Sequence, residues 1–357
     1  MERYSPTDEL YMRRCLQLAK CGAGSTSPNP MVGAVIVCAG KIIGEGYHIR
    51  AGEPHAEVNA VRSVAPENRA LLAKSTIYVS LEPCSHYGKT PPCCDLIISC
   101  GIPRVVIGIM DPNPLVGGAG IERMRAAGIE VVTDVLRDEC YAINEAFFTI
   151  QATRRPKVTL KWAQSADGYI DLLRDSGSAV RISTPVSQVA VHKLRACHDA
   201  IMVGRHTALL DNPSLNIRHW AGRAPLRLVI DGKATLSPAL ALFDGQQPTI
   251  VYTARAVEGK YGDNVKQVEL DFDSDVLPQI LDHLGGIGVN SLLVEGGATT
   301  LQSFINAALW DDARVEVNPS LVLGDGVAAP ALPEGLECGK QQLSGNEVFF
   351  YRRQKSH

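Results

Sequence analysis

The sequence predicts two consecutive α/β domains. Three observations carry this. A length of 357 residues exceeds ordinary single-domain size. Strand-like and helix-like segments alternate along the chain. A second β-rich start, Lys157-Val158-Thr159-Leu160-Lys161, follows directly on the basic, proline-containing Thr153-Arg154-Arg155-Pro156. The boundary falls there, giving domains 1–152 and 153–357. An apolar fraction of 45% and a charged fraction of 20% are those of a globular chain. No internal repeat or low-complexity segment interrupts it.

In the first domain Tyr11, Met12, Cys15, Leu16, Leu18 and Ala19 recur at helical spacing, so 8–21 is an amphipathic helix with Thr7 or Asp8 as its cap. The β-rich runs 32–37 and 41–44 flank Ala39-Gly40 and read as a hairpin. A helix over 55–64, a strand over 76–81, a helix over 92–99, a strand over 104–110, a helix over 121–127 and a strand over 129–133 follow. That order predicts a mainly parallel layer flanked by helices. In the second domain strands are expected at 157–161, 200–203, 226–230, 249–252 and 291–294, with helices over 185–197 and 298–309.

A formal net charge of −3 gives no reason to expect a nucleic-acid partner, and no apolar run approaches the ~20 residues of a membrane span. The first residues lack the layout of a secretory signal, so a cytoplasmic protein acting on a small molecule is expected, with homo-oligomerisation left open. Reduced thiols are then the rule, and clustered cysteines read as metal ligands. Cys15, Cys21, Cys38, Cys100, Cys140, Cys197 and Cys338 are scattered and are expected to be buried structural thiols.

The sharpest chemical signal is His55-Ala56-Glu57, with Pro83-Cys84 about one helix and one strand later and Cys93 beyond a short loop. H-x-E with P-C-x-x-C is the signature of zinc deaminases, here with the second cysteine displaced. One imidazole and two thiolates leave a fourth tetrahedral position for water, whose pKa zinc lowers toward ~7. Glu57 is placed to accept that water's proton, deliver it to a ring nitrogen and protonate the departing amine. Cys94 and His86 are rival ligands, and a purely structural zinc knot is the competing reading. The second domain has no G-x-G-x-x-G after a strand. Its Val294-Glu295-Gly296-Gly297-Ala298-Thr299-Thr300 runs from strand through glycines into helix, which is either a plain turn or a phosphate cradle.

Ser27-Pro28-Asn29-Pro30-Met31-Val32-Gly33-Ala34-Val35, His55-Ala56-Glu57, the stretch from Leu81-Glu82-Pro83-Cys84 to Pro91-Pro92-Cys93, and Met110-Asp111-Pro112-Asn113-Pro114 resemble the deaminase half of the bifunctional riboflavin biosynthesis deaminase–reductase family. Leu160-Lys161-Trp162-Ala163-Gln164-Ser165-Ala166-Asp167-Gly168, Leu194-Arg195-Ala196, the run from Thr207 to Leu215, and Glu295-Gly296-Gly297 are similar to its reductase half. The resemblance implies a cytidine-deaminase-like α/β/α domain followed by a dihydrofolate-reductase-like α/β domain. It implies zinc on His55, Cys84 and Cys93 with Glu57 as proton shuttle, and substrate contacts at Asn29, His48, His86 and Lys89. In the second domain it implies Lys161 as a catalytic residue and NADPH contacts at Ala163, Thr207, Asp211, Gly297, Ala298, Thr299 and Thr300. Substrate contacts there are Ser178, Arg195, Leu215, Arg218 and Glu295. The implied reaction removes the 2-amino group of a diaminopyrimidine ribotide as ammonia, then transfers hydride from NADPH to the ribose C1′.

The chain departs from the family at Val180-Arg181-Ile182-Ser183, where a tryptophan often precedes an Ile-Thr pair and where one residue is inserted nearby; this bears on Ser178 and on the nicotinamide contact. Two rival functions stand beside the main reading: a zinc-dependent nucleotide or tRNA deaminase, and a C-terminal half that is only a binding or oligomerisation module.

Overall fold

The computed structural model describes residues 4–87, 91–113 and 117–353. The chain divides into two compact units, Met1–Arg154 and Arg155–His357. No helix among the described residues is long and apolar enough to cross a membrane.

The first unit contains α1 (Pro6–Lys20), β1 (Gly33–Cys38), β2 (Lys41–Tyr47), α2 (Ala56–Ser63), β3 (Thr76–Val79), α3 (Cys93–Ser99), β4 (Arg104–Ile107), α4 (Ala119–Ala126), β5 (Glu130–Val132), α5 (Arg137–Ile143) and α6 (Glu145–Thr153). The cap of α1 is Ser5, not Thr7 or Asp8. Ser5 accepts the Asp8 N–H and the Asp8 carboxylate accepts the Ser5 N–H, a reciprocal box with Pro6 in the first turn, where a missing N–H costs nothing. Besides its part in this box, Asp8 grips Arg104 with both oxygens, at 2.8 and 3.1 Å.

The sheet runs β2-β1-β3-β4-β5. It is mixed rather than mainly parallel: β1 is antiparallel to both β2 and β3, and only β3, β4 and β5 are parallel. The reason is the tight turn at Ala39-Gly40, both residues at positive φ, which lays β2 beside β1. The crossover through α2 then carries the chain over β1 to its other side. Two apolar cores cover the two faces, one built on Ile36, Ile77, Val105 and Met124, the other on Met12, Val35, Tyr78 and Val106.

The second unit comprises β6 (Lys157–Ser165), β7 (Tyr169–Asp171), α7 (Pro185–Ala196), β8 (Ala200–Gly204), α8 (Arg205–Asp211), β9 (Leu226–Ile230), β10 (Thr249–Thr253), β11 (Val265–Glu269), α9 (Val276–Gly286), β12 (Ser291–Gly296), α10 (Ala298–Asn306), β13 (Asp312–Asn318), β14 (Val327–Ala328), β15 (Glu337–Leu343) and β16 (Asn346–Arg352). The large sheet runs β11-β10-β9-β8-β12-β6-β13-β16-β15, parallel as far as β13 and antiparallel at the β16-β15 edge. Side chains alternate across it: Leu292 and Val294 enter one core with Leu160 and Phe304, while Leu293 enters the other with Ile201, Val203 and Ala208. Helix α10 stops at Asn306 rather than 309, because Ala308 adopts positive φ and the Leu309 N–H turns back to Phe304.

Of the scattered cysteines only Cys15 and Cys140 are buried, while Cys21, Cys197 and Cys338 are exposed, contrary to expectation. Cys21 and Cys197 follow the last turns of α1 and α7, and Cys338 lies on the edge strand β15.

Candidate active sites

Local structure brings the first-unit residues together. His55 precedes α2, Glu57 lies in its first turn, Cys84 follows β3 and Cys93 opens α3. His55 Nδ1 is 3.6 Å from Cys84 Sγ and 3.4 Å from Cys93 Sγ. Zinc–sulfur and zinc–nitrogen bonds of about 2.3 and 2.0 Å at a tetrahedral angle require N···S edges of about 3.5 Å, so the three donors fit a zinc ion. Among the described residues these three form the cluster suited to a metal. Cys94 instead sits in the apolar core, and His86 is exposed at the cavity, so neither rival joins the cluster.

The electrostatics suit proton transfer. Hydrogen bonds from Cys93 and His55 hold the Cys84 thiol below its ordinary value, and the shared proton and burial push Cys93 up. Glu57 is 3% exposed; burial first, and then Cys84, pushes its carboxyl up to about 7. A cavity of about 260 Å³ brings Glu57, His55 and Cys84 to the same space as Asn29, His48 and His86. His48 Nε2 lies 3.1 Å from Asn29 Nδ2 and Nδ1 lies 3.2 Å from the Pro54 carbonyl, so the neutral ring donates from Nδ1 and accepts at Nε2. Burial lowers the His48 pKa, which favours this neutral form. Lys89 lies outside the described residues.

Sequence reasoning assigned no role to Glu82, Asp111, Phe147 or Gln151, which also line this cavity. Glu82 accepts the backbone N–H groups of Asp111, Gly118, Gly120 and Ile121 at 3.0–3.3 Å and so fixes the loop that presents Asp111. The Glu-Pro-Cys run was the signal that could have found it.

The second-unit cavity, about 910 Å³, opens at the carboxyl ends of β6, β8 and β12. Lys161, Ala163, Thr207, Asp211, Glu295 and residues 297–300 all line it. Gly297 has φ +77, and a methyl there would lie 3.2 Å from Thr207 Oγ1. Helix α10 starts at Gly297 with no side-chain cap, leaving its first N–H groups open to a phosphate. These features fit a dinucleotide. The Lys161 ammonium has no hydrogen-bond partner among the described residues, and burial pushes it below the ordinary value, with Glu295 opposing and Arg195 assisting. Burial would raise Glu295, but the Arg195 guanidinium at 2.8 and 2.7 Å holds its carboxyl low.

Four expected substrate residues do not line that cavity. Arg195 reaches it only through Glu295, and Leu215 is buried in the core beside Ile201. Arg218 is exposed and donates to Ser214 Oγ and Asn216 Oδ1. Ser178 is exposed, and the wall is formed instead by residues 179–183, the stretch where the sequence departs from the family.

A zinc-ligand set with a buried glutamate in one α/β unit, and a glycine-cradled dinucleotide cavity beside a half-buried lysine in the other, define a two-headed enzyme that joins a deaminase to a reductase. Comparison with known proteins makes this particular. The family model for the cytidine and deoxycytidylate deaminase zinc-binding region matches residues 5–109, and that for the RibD C-terminal domain matches residues 156–347. The riboflavin biosynthesis protein RibD of Aquifex aeolicus is 38% identical over 357 residues, covering 97% of this chain and 98% of the relative. That of Escherichia coli is 38% identical over 348 residues, covering 92% of each. The crystal structure of a diaminohydroxyphosphoribosylaminopyrimidine deaminase/5-amino-6-(5-phosphoribosylamino)uracil reductase from Thermotoga maritima superposes with a TM-score of 0.89 at 36% identity, covering 97% of this chain and 98% of that one. The chain belongs to the RibD family, whose members join a zinc-binding deaminase domain to an NADPH-dependent reductase domain.

Proposed function

We propose that the first unit deaminates 2,5-diamino-6-ribosylamino-4(3H)-pyrimidinone 5′-phosphate and that the second reduces the ribosyl group of the product to ribityl, two steps of riboflavin biosynthesis in the cytoplasm. The observation that carries this reading is the meeting of His55, Cys84 and Cys93 beside buried Glu57 in a chain that also builds the Lys161 cavity. The net charge of −3 and the concave shape of both sites favour a small-molecule ribotide over nucleic acid.

Bound on His55, Cys84 and Cys93, zinc supplies a water activated at neutral pH. Glu57 takes the proton of the attacking water, passes it to the ring nitrogen beside the amino-bearing carbon, and then protonates the nitrogen that leaves as ammonia. His48 holds Asn29 by its amide nitrogen, which leaves Asn29 Oδ1 to accept from the pyrimidine amino group. His86 and Lys89 are assigned to the ribose and its phosphate. In the second unit NADPH supplies the reducing equivalent. Ala163, Thr207, Asp211 and residues 297–300 hold the dinucleotide; Lys161 gives a proton to the ribose ring oxygen as the C1′–O bond opens. Glu295, fixed by Arg195, orients the sugar beside that ammonium. Arg218 is exposed outside the cavity wall and is assigned to the phosphate end of the substrate.

The test supplies the diaminopyrimidine ribotide to zinc-replete protein with and without NADPH, following ammonia and NADPH absorbance together. Ammonia without NADPH consumption makes the second unit a non-catalytic module and refutes the two-headed reading; absence of both signals refutes both assignments.

A further inference from the structure

One side chain on the wall of the second-unit cavity is anchored through all three of its nitrogens, and resemblance assigns it no role. Arg174 lies in the segment joining β7 to α7, and its side chain is 11% exposed. Its Nε donates to Asp171 Oδ2 at 2.6 Å and its Nη1 to the Gly177 carbonyl at 2.8 Å and the Leu210 carbonyl at 3.5 Å. Its Nη2 donates to Asp211 Oδ1. Asp171 uses its second oxygen to accept the Val180 N–H at 3.0 Å. Asp171, Arg174, Val180, Leu210 and Asp211 all line the cavity. A single guanidinium thus ties the wall, at 171, 177 and through Asp171 at 180, to the last turn of α8.

The far end of the wall is held separately. The Ile182 carbonyl accepts from Asn318 and Asn346, each at 3.2 Å, and Ser183 Oγ donates to Glu316 Oε2 at 3.0 Å. Loss of Arg174 therefore loosens the α8 side of the wall while the β13 side stays fastened. It also leaves Asp171 and Asp211 as like charges with no cation between them.

We propose that Arg174 is a positioning residue for the dinucleotide: it fixes Asp211 in one orientation by one oxygen and leaves the other oxygen to accept a ribose hydroxyl of the cofactor. The planar fork suits this task because it satisfies two carboxylates and two carbonyls in one plane-bound geometry, which an ammonium does not. Holding the wall before the cofactor arrives removes an ordering cost from binding. The inference rests on the reading of this cavity as the NADPH site.

The experiment uses the full chain with R174A, R174K and D171N, measuring KM for NADPH, kcat of the reductase step, ammonia release and the melting temperature. Ammonia release reports on the first unit and serves as an internal control. In R174A the KM for NADPH rises about tenfold, with kcat held within about twofold, because the lost interaction is in binding rather than in the chemical step. R174K does not restore the wild-type KM, and D171N gives a smaller rise in the same parameter. A wild-type KM in R174A overturns the proposal, as does a fall in kcat with unchanged KM. An R174A chain that melts early with KM and kcat equally impaired reveals a structural role only and also overturns it. Should R174A fail to fold, D171N decides on the same readout, a wild-type KM there being refuting. If the wild-type chain neither binds nor oxidises NADPH, the cofactor reading itself has failed, an outcome distinct from all of these.

Discussion

Gly204→Ala adds one methyl group and is expected to close the cofactor cavity. Gly204 ends β8 with φ −77 and ψ 161, an ordinary extended conformation, so alanine costs little in the backbone. The cost is steric. The new methyl would stand 2.3 Å from Thr300 Oγ1, whereas ordinary contact begins at 3.4 Å, an overlap of 3.4 − 2.3, about 1.1 Å. Thr300 is β-branched and stands in the first turn of α10, so it escapes only by leaving its rotamer or by moving the turn that cradles the dinucleotide. Overpacking of this kind costs about 1–3 kcal/mol. Falling on the cofactor site, it weakens NADPH binding by about 5- to 150-fold. Titration of the full chain with NADPH measures this, with ammonia release as the control for the first unit. The partner substitution Thr300→Ala removes Oγ1 and leaves the two Cβ atoms 3.6 Å apart, an ordinary contact. The double variant should therefore bind NADPH as Thr300→Ala alone does. Wild-type affinity in Gly204→Ala, or a double variant no better than Gly204→Ala, would refute the steric reasoning.

Three further expectations follow from the first unit. Glu57→Gln keeps the side-chain volume but ends proton transfer, so ammonia release falls by about 10²- to 10⁴-fold while reduction of the already deaminated ribotide continues; parallel loss of both rates would contradict separate sites. Cys84→Ser and Cys93→Ser should each strip zinc, measured as metal content of the purified chain, whereas Cys94→Ser should not; the reverse result for Cys93 and Cys94 would move the ligand by one residue. Burial would raise the Asp8 carboxyl, but Arg104 and Ser5 outweigh it and hold it at about 2, below the ordinary 3.8. Its stabilisation is therefore present above about pH 3.8 and is lost as pH falls through 2, and a shift of 3.8 − 2 amounts to about 2 kcal/mol. Urea unfolding of Asp8→Asn against wild type should show a gap of that order at pH 7 that narrows below pH 4, and a gap independent of pH would refute the assignment.

What the sequence made legible, and what it hid, divides along physical lines. His55, Glu57, Cys84 and Cys93 were readable because metal chemistry demands particular residue types and each sits where an element begins or ends, at a spacing set by one helix and one strand. The mixed order of the first sheet was not readable, because alternation along the chain does not reveal on which side of β1 a crossover returns. Strand β13 was missed because Arg314 and Glu316 break the apolar pattern on a buried strand. Glu316 is tolerable there only through Asn346 and Ser183, which are 30 and 133 residues away. Arg174 was equally invisible: its partners Asp171 and Asp211 lie 3 and 37 residues off, no motif joins it to them, and only the fold makes the three neighbours.

The two sites share a construction that explains why one chain can hold such different chemistry. In the first unit the ligands lie where strands end and helices begin, and there two effects meet: helix starts favour negative charge on Glu57 and on the Cys93 thiol, while burial opposes it. Burial wins at Glu57 and pushes its carboxyl up to about 7, the range in which a group can both accept and return a proton. In the second unit the same strand-to-helix junctions hold glycine and threonine instead of cysteine, so the open N–H groups are offered to a ligand's phosphate rather than to protein thiolates. The described lining of each cavity comes wholly from its own unit, residues 29–151 in one and 161–327 in the other. A substitution confined to one lining should therefore change one reaction and spare the other, which is the condition that lets ammonia and NADPH serve as controls for each other wherever the two reactions are assayed.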